Sequence, residues 1–506
     1  MGTTFAQRFW KGLASSALAQ IIGALNAVVL VPLFLRTWGA DGYGRWLALT
    51  ALVSYLSLLD LGGQSYVGNL LAIEYTKQDQ AAFRRVLSAG VSLFVLIALG
   101  VFLGVMFLTS LPDASFPGLA RSLNLDERSV IVFTSASLLL SIPGGVYVMV
   151  YRSTGLFARG TMIGNVIRLM VLGVSIVLLY VGAGPGTYAA GLFALNVLST
   201  LTVIWDTQRH IPQCKNPKLS LAVAKEGFVY LKGSLYFWLI ALAGAINQQG
   251  VLIVLTAFGS PVAVAVFATH RTVAGLLRYI STWLQGPLWP EFSFLWAANQ
   301  RASIERLVVI TTGATMLCTG VIAVALYMFF PYIYPIWTGK TLNIQMPLLG
   351  ILLLQGVLGA GWLTASWGLL ASNQHRQLAW WTMANALVTI IGAAILAGPW
   401  GGYGVAVASL VGDITCGLII MPILVSRAFR ISARRIFVTV MLSMLVLVPL
   451  VVAAALLSSL PPLWAISLWG LIALALSYPA TVLVLGYAET KRLVGQVRQS
   501  VSLTIK

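Results

Sequence analysis

Residues 11–62 read KGLASSALAQIIGALNAVVLVPLFLRTWGADGYGRWLALTALVSYLSLLDLG. The part from about residue 12 to 35 is apolar and longer than the roughly 20 residues that a membrane-spanning helix needs. A short turn that contains Gly39 and Gly44 then sends the chain back. A second apolar helix, from about 46 to 72, carries the carboxylate of Asp60. The stretch therefore predicts a transmembrane helical hairpin.

The first helix of this hairpin has a polar stripe. Gly12, Ser16, Gln20, Gly23 and Asn26 fall within about 120° of one helix face. Polar groups at membrane depth are stable where they face protein or a water-filled cavity. Gln20 and Asn26 are therefore predicted to line a cavity and to contact a substrate.

Part of the stretch recurs at an offset of 221 residues. Lys11-Gly12 becomes Lys232-Gly233, and the Gly-Ala-Leu-Asn run that ends at Asn26 becomes Gly-Ala-Ile-Asn, ending at Asn247. Two matches at one offset, in segments of the same kind, indicate an internal repeat. Asn247, the repeat mate of Asn26, is accordingly a second predicted cavity residue.

Composition assigns the chain to the integral membrane proteins. Of 506 residues, 59% are hydrophobic and 9% are charged, whereas soluble domains carry about 25% charged residues. The mean hydropathy is +0.91. The apolar blocks between charge clusters predict an all-α membrane protein with about fourteen transmembrane helices.

The net charge of +18 is explained by topology rather than by nucleic-acid binding. With the N-terminus inside, 23 of the 31 Lys and Arg residues fall in cytoplasmic segments and five fall outside. Cytoplasmic loops of membrane proteins are enriched in these residues. The bias predicts an even number of spans with both termini in the cytoplasm.

This topology is testable with reporter fusions. Fusions at Asp113 and Lys340 are expected to report the outside, and fusions at Lys215 and Arg430 the cytoplasm, because the charge bias alternates with each predicted span. A cytoplasmic signal at Lys340 would contradict the assignment of the second half.

The basic linker at residues 207–228 divides the chain where the repeat begins again. The predicted organisation is an N-terminal lobe of six spans at 1–206, this cytoplasmic linker, and a C-terminal lobe of six spans at 229–426. Residues 427–506 add two helices and a cytoplasmic tail.

Motifs for enzymatic chemistry are missing from the sequence. It contains no P-loop, no H-E-x-x-H and no G-x-S-x-G, and its three cysteines have no metal-binding spacing. The expectation is a protein that is not an enzyme and that has no cofactor and no metal site.

Charged residues inside the predicted spans are the strongest functional candidates. Arg271 and Arg278 lie seven residues apart on the eighth predicted span, about 261–285, and so share a face. An arginine at mid-membrane costs about 3 kcal/mol and needs a cavity or a partner. These two residues either bind an anionic head group or form structural ion pairs, with Asp60 or Asp413 as the partner.

Three further charged residues are candidates for a functional role. Arg168 either binds substrate or extends to a helix end. Asp413 is a candidate proton or sodium site for coupling. Asp60 either shares that role or binds the N-terminus of an adjacent helix.

Four short motifs carry a family resemblance. The motifs are Trp38-Gly39 to Tyr43-Gly44, Leu59-Asp60-Leu61-Gly62, Pro287-Leu288-Trp289-Pro290 and Ile336-Trp337-Thr338-Gly339. In these motifs the chain resembles the Wzx-type polysaccharide flippases of the multidrug/oligosaccharidyl-lipid/polysaccharide exporter superfamily, which also contains lipid II flippases and multidrug exporters.

The resemblance implies a V-shaped transporter of two lobes with a central cavity. It implies alternating-access transport of an undecaprenyl-diphosphate-linked oligosaccharide from the inner to the outer leaflet of the bacterial plasma (inner) membrane, for O-antigen, exopolysaccharide or capsule assembly. Implied partners are the lipid-linked substrate, the bilayer, and polysaccharide polymerase and chain-length proteins. The alternatives are a lipid II flippase, a multidrug or cation antiporter, and, with less support, a membrane polysaccharide polymerase or ligase. The glycan, the coupling ion and the oligomeric state stay open.

Overall fold

The computed structural model describes residues 5–111, 123–215, 217–232, 235–297, 299–371, 375–457 and 462–485. The described residues are almost entirely helical and contain no β-strand. The all-α fold predicted from composition is confirmed. Asp113, at which a reporter fusion is expected to report the outside, lies outside the described residues.

Sixteen α-helices are described, joined in places by other helical turns. A 3₁₀ turn, Tyr55–Asp60, follows α1, and another, Pro212–Cys214, follows α6; π-helical segments Ile246–Gly250 and Ile414–Ile420 join α8 to α9 and α13 to α14. The helices are α1 Phe5–Ser54, α2 Gly63–Thr76, α3 Gln80–Ser110, α4 Leu125–Ser153, α5 Phe157–Tyr180, α6 Pro185–His210, α7 Leu221–Lys232, α8 Leu235–Ala245, α9 Val251–Phe258, α10 Pro261–Ala297, α11 Arg301–Trp337, α12 Met346–Ala371, α13 His375–Asp413, α14 Met421–Phe429, α15 Ala433–Leu457 and α16 Pro462–Leu485.

Ten helical segments of the described chain are long and apolar enough to cross a membrane. Two of these segments contain a glycine with positive φ, Gly39 at +70° and Gly401 at +54°, where the helix bends. A bend of this kind allows one helical segment to contain two crossings. α10 is not among the ten segments. The predicted number of fourteen crossings stays a prediction.

The chain forms two compact units. Unit 1 contains Met1–Thr269 and Thr382–Val405, and unit 2 contains His270–Trp381 and Ala406–Lys506. Both units take residues from α10 and α13. The lobes and the linker predicted from the sequence stay predictions.

Each unit has its own apolar core. In unit 1, α2, α3, α4 and α6 pack around large buried side chains such as Phe83, Phe94 and Tyr151. In unit 2, α11, α15 and α16 meet around Val324 and Trp469. Burial of such side chains against neighbouring helices holds each bundle together.

The bend at Gly39 explains the Trp-Gly motif of the opening stretch. Only glycine adopts a φ of +70° at low cost, and the helix changes direction there. The Trp38 Nε1–H donates to the Ala183 carbonyl oxygen at 2.8 Å. The Trp38 ring also packs against those of Phe34 and Tyr188, with centroids 4.8 Å and 5.4 Å away. The motif therefore joins the hairpin turn to the loop between α5 and α6.

Gly44 allows close approach of another helix in unit 1. A Cβ at this position would overlap the carbonyl oxygen and the Cα of Pro261, which begins α10. The obstacle is backbone, which cannot turn away as a flexible side chain can. Tight packing therefore restricts this position to glycine.

Two predicted spans differ from the structure in their continuity. The second, expected as one helix over about 46–72, is broken at Leu61 and Gly62, both of which have left-handed backbone. The eighth, expected to end near residue 285, continues as α10 through Pro287 and Pro290 to Ala297. Membrane helices tolerate proline where neighbouring groups satisfy the freed backbone carbonyls.

Candidate functional site

Arg271 and Arg278 lie on one face of a single helix. α10 is helical from Pro261 to Ala297, and seven residues complete two turns to within about 20°. Arg271 is half-buried and Arg278 is exposed. The helix thus presents two guanidinium groups, two turns apart, in the same direction. Their roles in substrate binding stay predictions.

The residue before Arg271 fixes this part of α10 within unit 2. His270 is fully buried, and its Nε2 accepts a hydrogen bond of 2.9 Å from the backbone N–H of Gln345. Gln345 directly precedes α12, whose first N–H groups have no partner within the helix. The His270 ring also packs against Tyr334, with centroids 5.0 Å apart. The backbone that carries Arg271 is consequently well anchored.

Asn247 lies in a π-helical segment of unit 1 and is bonded to a residue that the sequence analysis did not single out. Its Nδ2 donates to Oδ1 of Asn385, on α13, at 2.9 Å. Asn247 Oδ1 and Asn385 Nδ2 are buried and have no hydrogen-bond partner among the described residues. π-helical turns occur often at functional sites. The sequence did offer one signal for Asn385, which is the single asparagine in a mostly apolar predicted span.

The two candidates on α1 are both half-buried. Asn26 Oδ1 is buried, and no described residue forms a hydrogen bond with it. Gln20 lies six residues earlier on the same helix. The other end of the predicted stripe, Gly12 and Ser16, lies where the structure describes only the backbone. Cavity lining by Asn26 and Gln20 stays a prediction.

Arg168 is exposed on α5 and bonds within its own helix. Its Nη1 donates to Oδ1 of Asn165 at 2.9 Å, and the Asn165 side chain is buried. The hydrogen bond directs the guanidinium along the helix surface toward the previous turn. Substrate binding by Arg168 stays a prediction.

The Asp60 carboxylate stabilises the turn that interrupts the helix before α2. Its Oδ1 accepts a hydrogen bond of 2.9 Å from the backbone N–H of Gly62, the N-cap residue of α2. A carboxylate that binds the N–H two residues later is the usual stabiliser of such a turn. This contact matches the structural interpretation of Asp60, and its role in coupling stays a prediction.

Asp413 ends α13 and directly precedes the second π-helical segment. Gln355 Nε2, on α12, donates to Asp413 Oδ2 at 2.9 Å. Both residues belong to unit 2. The carboxylate therefore links α12 to an irregular part of the helical backbone. Binding of a coupling ion there stays a prediction.

A buried charged network in unit 1 was missed by the sequence analysis. Asp206 accepts a hydrogen bond of 2.8 Å from the Tyr151 hydroxyl. It also accepts bonds of 2.9 Å and 2.6 Å from Nε and Nη2 of Arg159. The network ties α4, α5 and α6 together. In the sequence, Arg159 was counted only as one of the cytoplasmic loop charges that predict the topology. A count of charges does not identify the partner of any one residue.

Comparison with known proteins gives a fold but no family. No protein-family model matches the chain, and no curated protein matches its sequence. Its structure is similar to that of the lipid II flippase MurJ in an inward closed conformation, with a TM-score of 0.71 and 15% identity. That similarity covers 92% of this chain and 98% of the other.

Two solved multidrug transporters are similar over a smaller part of the chain. One is an inward-facing multidrug resistance MATE family transporter of the MOP superfamily, with a TM-score of 0.58, 15% identity, and 81% and 95% of the two chains covered. The other is the MATE multidrug transporter DinF-BH, with a TM-score of 0.61, 16% identity, and 86% and 97% covered. The chain therefore has the fold of these multi-span membrane transporters, as predicted, and at this identity the likeness extends to the fold alone.

Proposed function

We propose that this chain is a flippase that moves an undecaprenyl-diphosphate-linked oligosaccharide from the inner to the outer leaflet of the bacterial plasma membrane. The exported glycan would be used for O-antigen, exopolysaccharide or capsule assembly. In this proposal both termini lie in the cytoplasm, and a polysaccharide polymerase and chain-length proteins act on the product.

The observation that carries the proposal is the pair Arg271 and Arg278 on one face of α10. A guanidinium group binds phosphate oxygens through two parallel N–H donors, and a diphosphate offers several such oxygens. We assign these two arginines to the diphosphate, and Asn26, Asn247, Gln20 and Arg168 to further polar contacts with the substrate.

The fold supports a lipid substrate over a drug. The TM-score of 0.71 with a lipid flippase exceeds the 0.58 and 0.61 found with the two multidrug transporters described above, and it extends over more of this chain. All of these similar structures are transporters or flippases, whereas the polymerase and ligase alternatives are enzymes.

Two energy sources are compatible with the proposal. Moving one charge across the membrane is worth about 2.3 kcal/mol per 100 mV, so that two outward-moving negative charges gain about 4–5 kcal/mol. A proton or sodium ion at Asp413 or Asp60 is the second source. Of these, we favour Asp413, because the Asp60 carboxylate is bonded to the turn before α2.

The second candidate function is lipid II transport, favoured by the likeness to MurJ. The two functions are distinguished by the lipid that accumulates on the cytoplasmic side when the protein is removed. A cation or drug antiporter would cause neither lipid to accumulate.

Mass spectrometry of membrane lipids after deletion or depletion of the protein tests the proposal. We expect an undecaprenyl-diphosphate-linked oligosaccharide to accumulate, because its head group cannot cross the bilayer unaided. Restoring the wild-type protein should remove the excess. Accumulation of lipid II instead would assign the second candidate function, and an unchanged lipid profile would overturn both.

A further inference from the structure

A cavity of about 400 Å³ opens where four helices of unit 2 end or begin. Its walls come from Trp296 near the end of α10, Arg301 at the start of α11, Gln377 near the start of α13, and Arg427 and Arg430 at the end of α14. The three stretches that supply these residues, 296–301, 377 and 427–430, are far apart in the sequence. The fold alone brings three arginines to one cavity, separate from Arg271 and Arg278.

The three arginines have no acidic partner in the described part of the chain. Arg301, Arg427 and Arg430 are exposed, and no carboxylate whose position is described lies within ion-pair distance of them. Glu305, on the same helix as Arg301, pairs instead with Arg435 at 3.1 Å. The cavity is therefore strongly cationic, and its charge is available to a ligand.

The cavity has a rigid aromatic floor. Phe429 is 1% exposed, and its ring contacts those of Trp296 and Phe292, with centroids 5.5 Å and 6.5 Å away. Gly368 leaves room for the floor, since a Cβ there would lie 3.1 Å from the Phe429 ring. Side chains packed in this way keep the shape of the cavity without a ligand.

The chain turn that carries Arg430 is also held in place. Arg430 has left-handed backbone, with φ of +55°, where α14 ends. The Ser426 hydroxyl donates to the Ile431 carbonyl oxygen at 2.6 Å, and the Ile431 N–H donates to the Ser426 carbonyl oxygen at 3.1 Å. These two bonds close the turn between Arg427 and the following helix. The arginines thus project from a well-defined backbone.

We propose that this cavity binds the phosphate group of an anionic lipid in the cytoplasmic leaflet. Arginine forks match phosphate oxygens, and basic pockets on the cytoplasmic side of membrane helices bind anionic lipid head groups. All three arginines belong to the segments that the charge bias assigns to the cytoplasm. The Trp296 ring, 38% exposed at the cavity wall, is of the kind that lies at head-group level.

The test compares two triple variants of the full-length protein in zwitterionic micelles. The first is Arg301→Gln, Arg427→Gln and Arg430→Gln. The control is Arg84→Gln, Arg85→Gln and Arg434→Gln, which removes the same charge from exposed arginines that do not line the cavity. Both are titrated with fluorescent phosphatidylglycerol at about 0.15 M salt, where general surface attraction is largely screened. Size-exclusion profiles verify that each variant is folded.

We expect the cavity variant to bind phosphatidylglycerol at least about a hundredfold more weakly than wild type, because it loses charge-assisted hydrogen bonds to phosphate. The control should stay within about threefold of wild type under this screening. Equal losses in the two variants would mean a general attraction to the basic surface and would overturn the proposal. Free inorganic phosphate that binds as tightly as the lipid would overturn the lipid assignment.

If the triple cavity variant does not fold, the single variant Arg427→Gln is tested in its place. It is expected to bind phosphatidylglycerol about tenfold more weakly, since it loses one charge-assisted contact. The matched single control is Arg434→Gln. Unchanged binding by a folded Arg427→Gln protein would contradict the assignment of this arginine to the site.

Discussion

Arg271→Ala is expected to abolish glycan export while the protein remains in the membrane at near-normal abundance. The substitution would remove two charge-assisted hydrogen bonds to the substrate diphosphate, worth about 1.5–3 kcal/mol each. A loss of at least about a hundredfold in transport rate follows from that range. The measurement is glycan at the cell surface together with membrane abundance of the protein.

Arg271→Lys and Arg84→Ala serve as controls. Lysine keeps the positive charge but lacks the planar fork, so that Arg271→Lys should restore part of the export. Arg84 is exposed at the start of α3, away from α10 in sequence, and Arg84→Ala should export normally. Normal export by a stable Arg271→Ala protein would remove Arg271 from the site.

A structural ion pair would give a different pattern. If Arg271 stabilised the fold through Asp413, which lies in the same unit, Arg271→Ala would lower protein abundance. Adding Asp413→Asn would then restore that abundance, because breaking a buried pair costs most when one charge is left alone. Under our proposal the double variant is as abundant as Arg271→Ala and still does not export.

Gly44→Ala is expected to remove most of the folded protein from the membrane. The added Cβ would overlap the backbone of Pro261, and the helices would have to separate to accommodate it. Overpacking of tightly packed positions costs about 1–3 kcal/mol and sometimes more, and here the obstacle is backbone. The expected cost is at the upper end of that range, which is a large part of the stability of a typical domain.

Two other glycines provide the comparison for Gly44. Gly104 is exposed on α3, with no atom within 4 Å of an added Cβ, so that Gly104→Ala should behave as wild type. Gly39→Ala also meets open space but must adopt a φ of +70°, which costs a non-glycine residue about 1 kcal/mol. Membrane abundance and thermal unfolding should rank Gly104→Ala above Gly39→Ala, and Gly39→Ala above Gly44→Ala. A Gly44→Ala protein as stable as Gly104→Ala would contradict the packing argument.

The helix break after Asp60 and the π-helical segment at Asn247 could not be predicted from hydropathy. The predicted second span is mostly apolar, yet left-handed backbone at Leu61 and Gly62 ends the helix, and Asp60 bonds to the turn. Hydropathy averaged over a stretch of sequence likewise does not indicate the π-helical segment that contains Asn247. Helical periodicity locates apolar faces, but a break depends on one or two residues and on their neighbours in space.

The hydrogen-bond and ion-pair partners of the polar residues could not be predicted from the sequence either. The internal repeat predicted Asn247 as a cavity residue, but its hydrogen-bond partner, Asn385, lies 138 residues away. Arg159 was counted as a loop charge, and its carboxylate, Asp206, is 47 residues away. Pairs so distant cannot be deduced from one sequence, because many polar residues are possible partners and packing selects among them.

The sequence by itself determined the membrane environment and the helical class, and it predicted that a few charges lie within the membrane. These properties depend on the transfer of each side chain between water and lipid, which is a local quantity. The structure alone decided that Gly44 must be glycine, that His270 supports the start of α12, and that Arg301, Arg427 and Arg430 share a cavity. Each of these features depends on contacts between helices that are distant in the chain, and the packing of whole helices sets them.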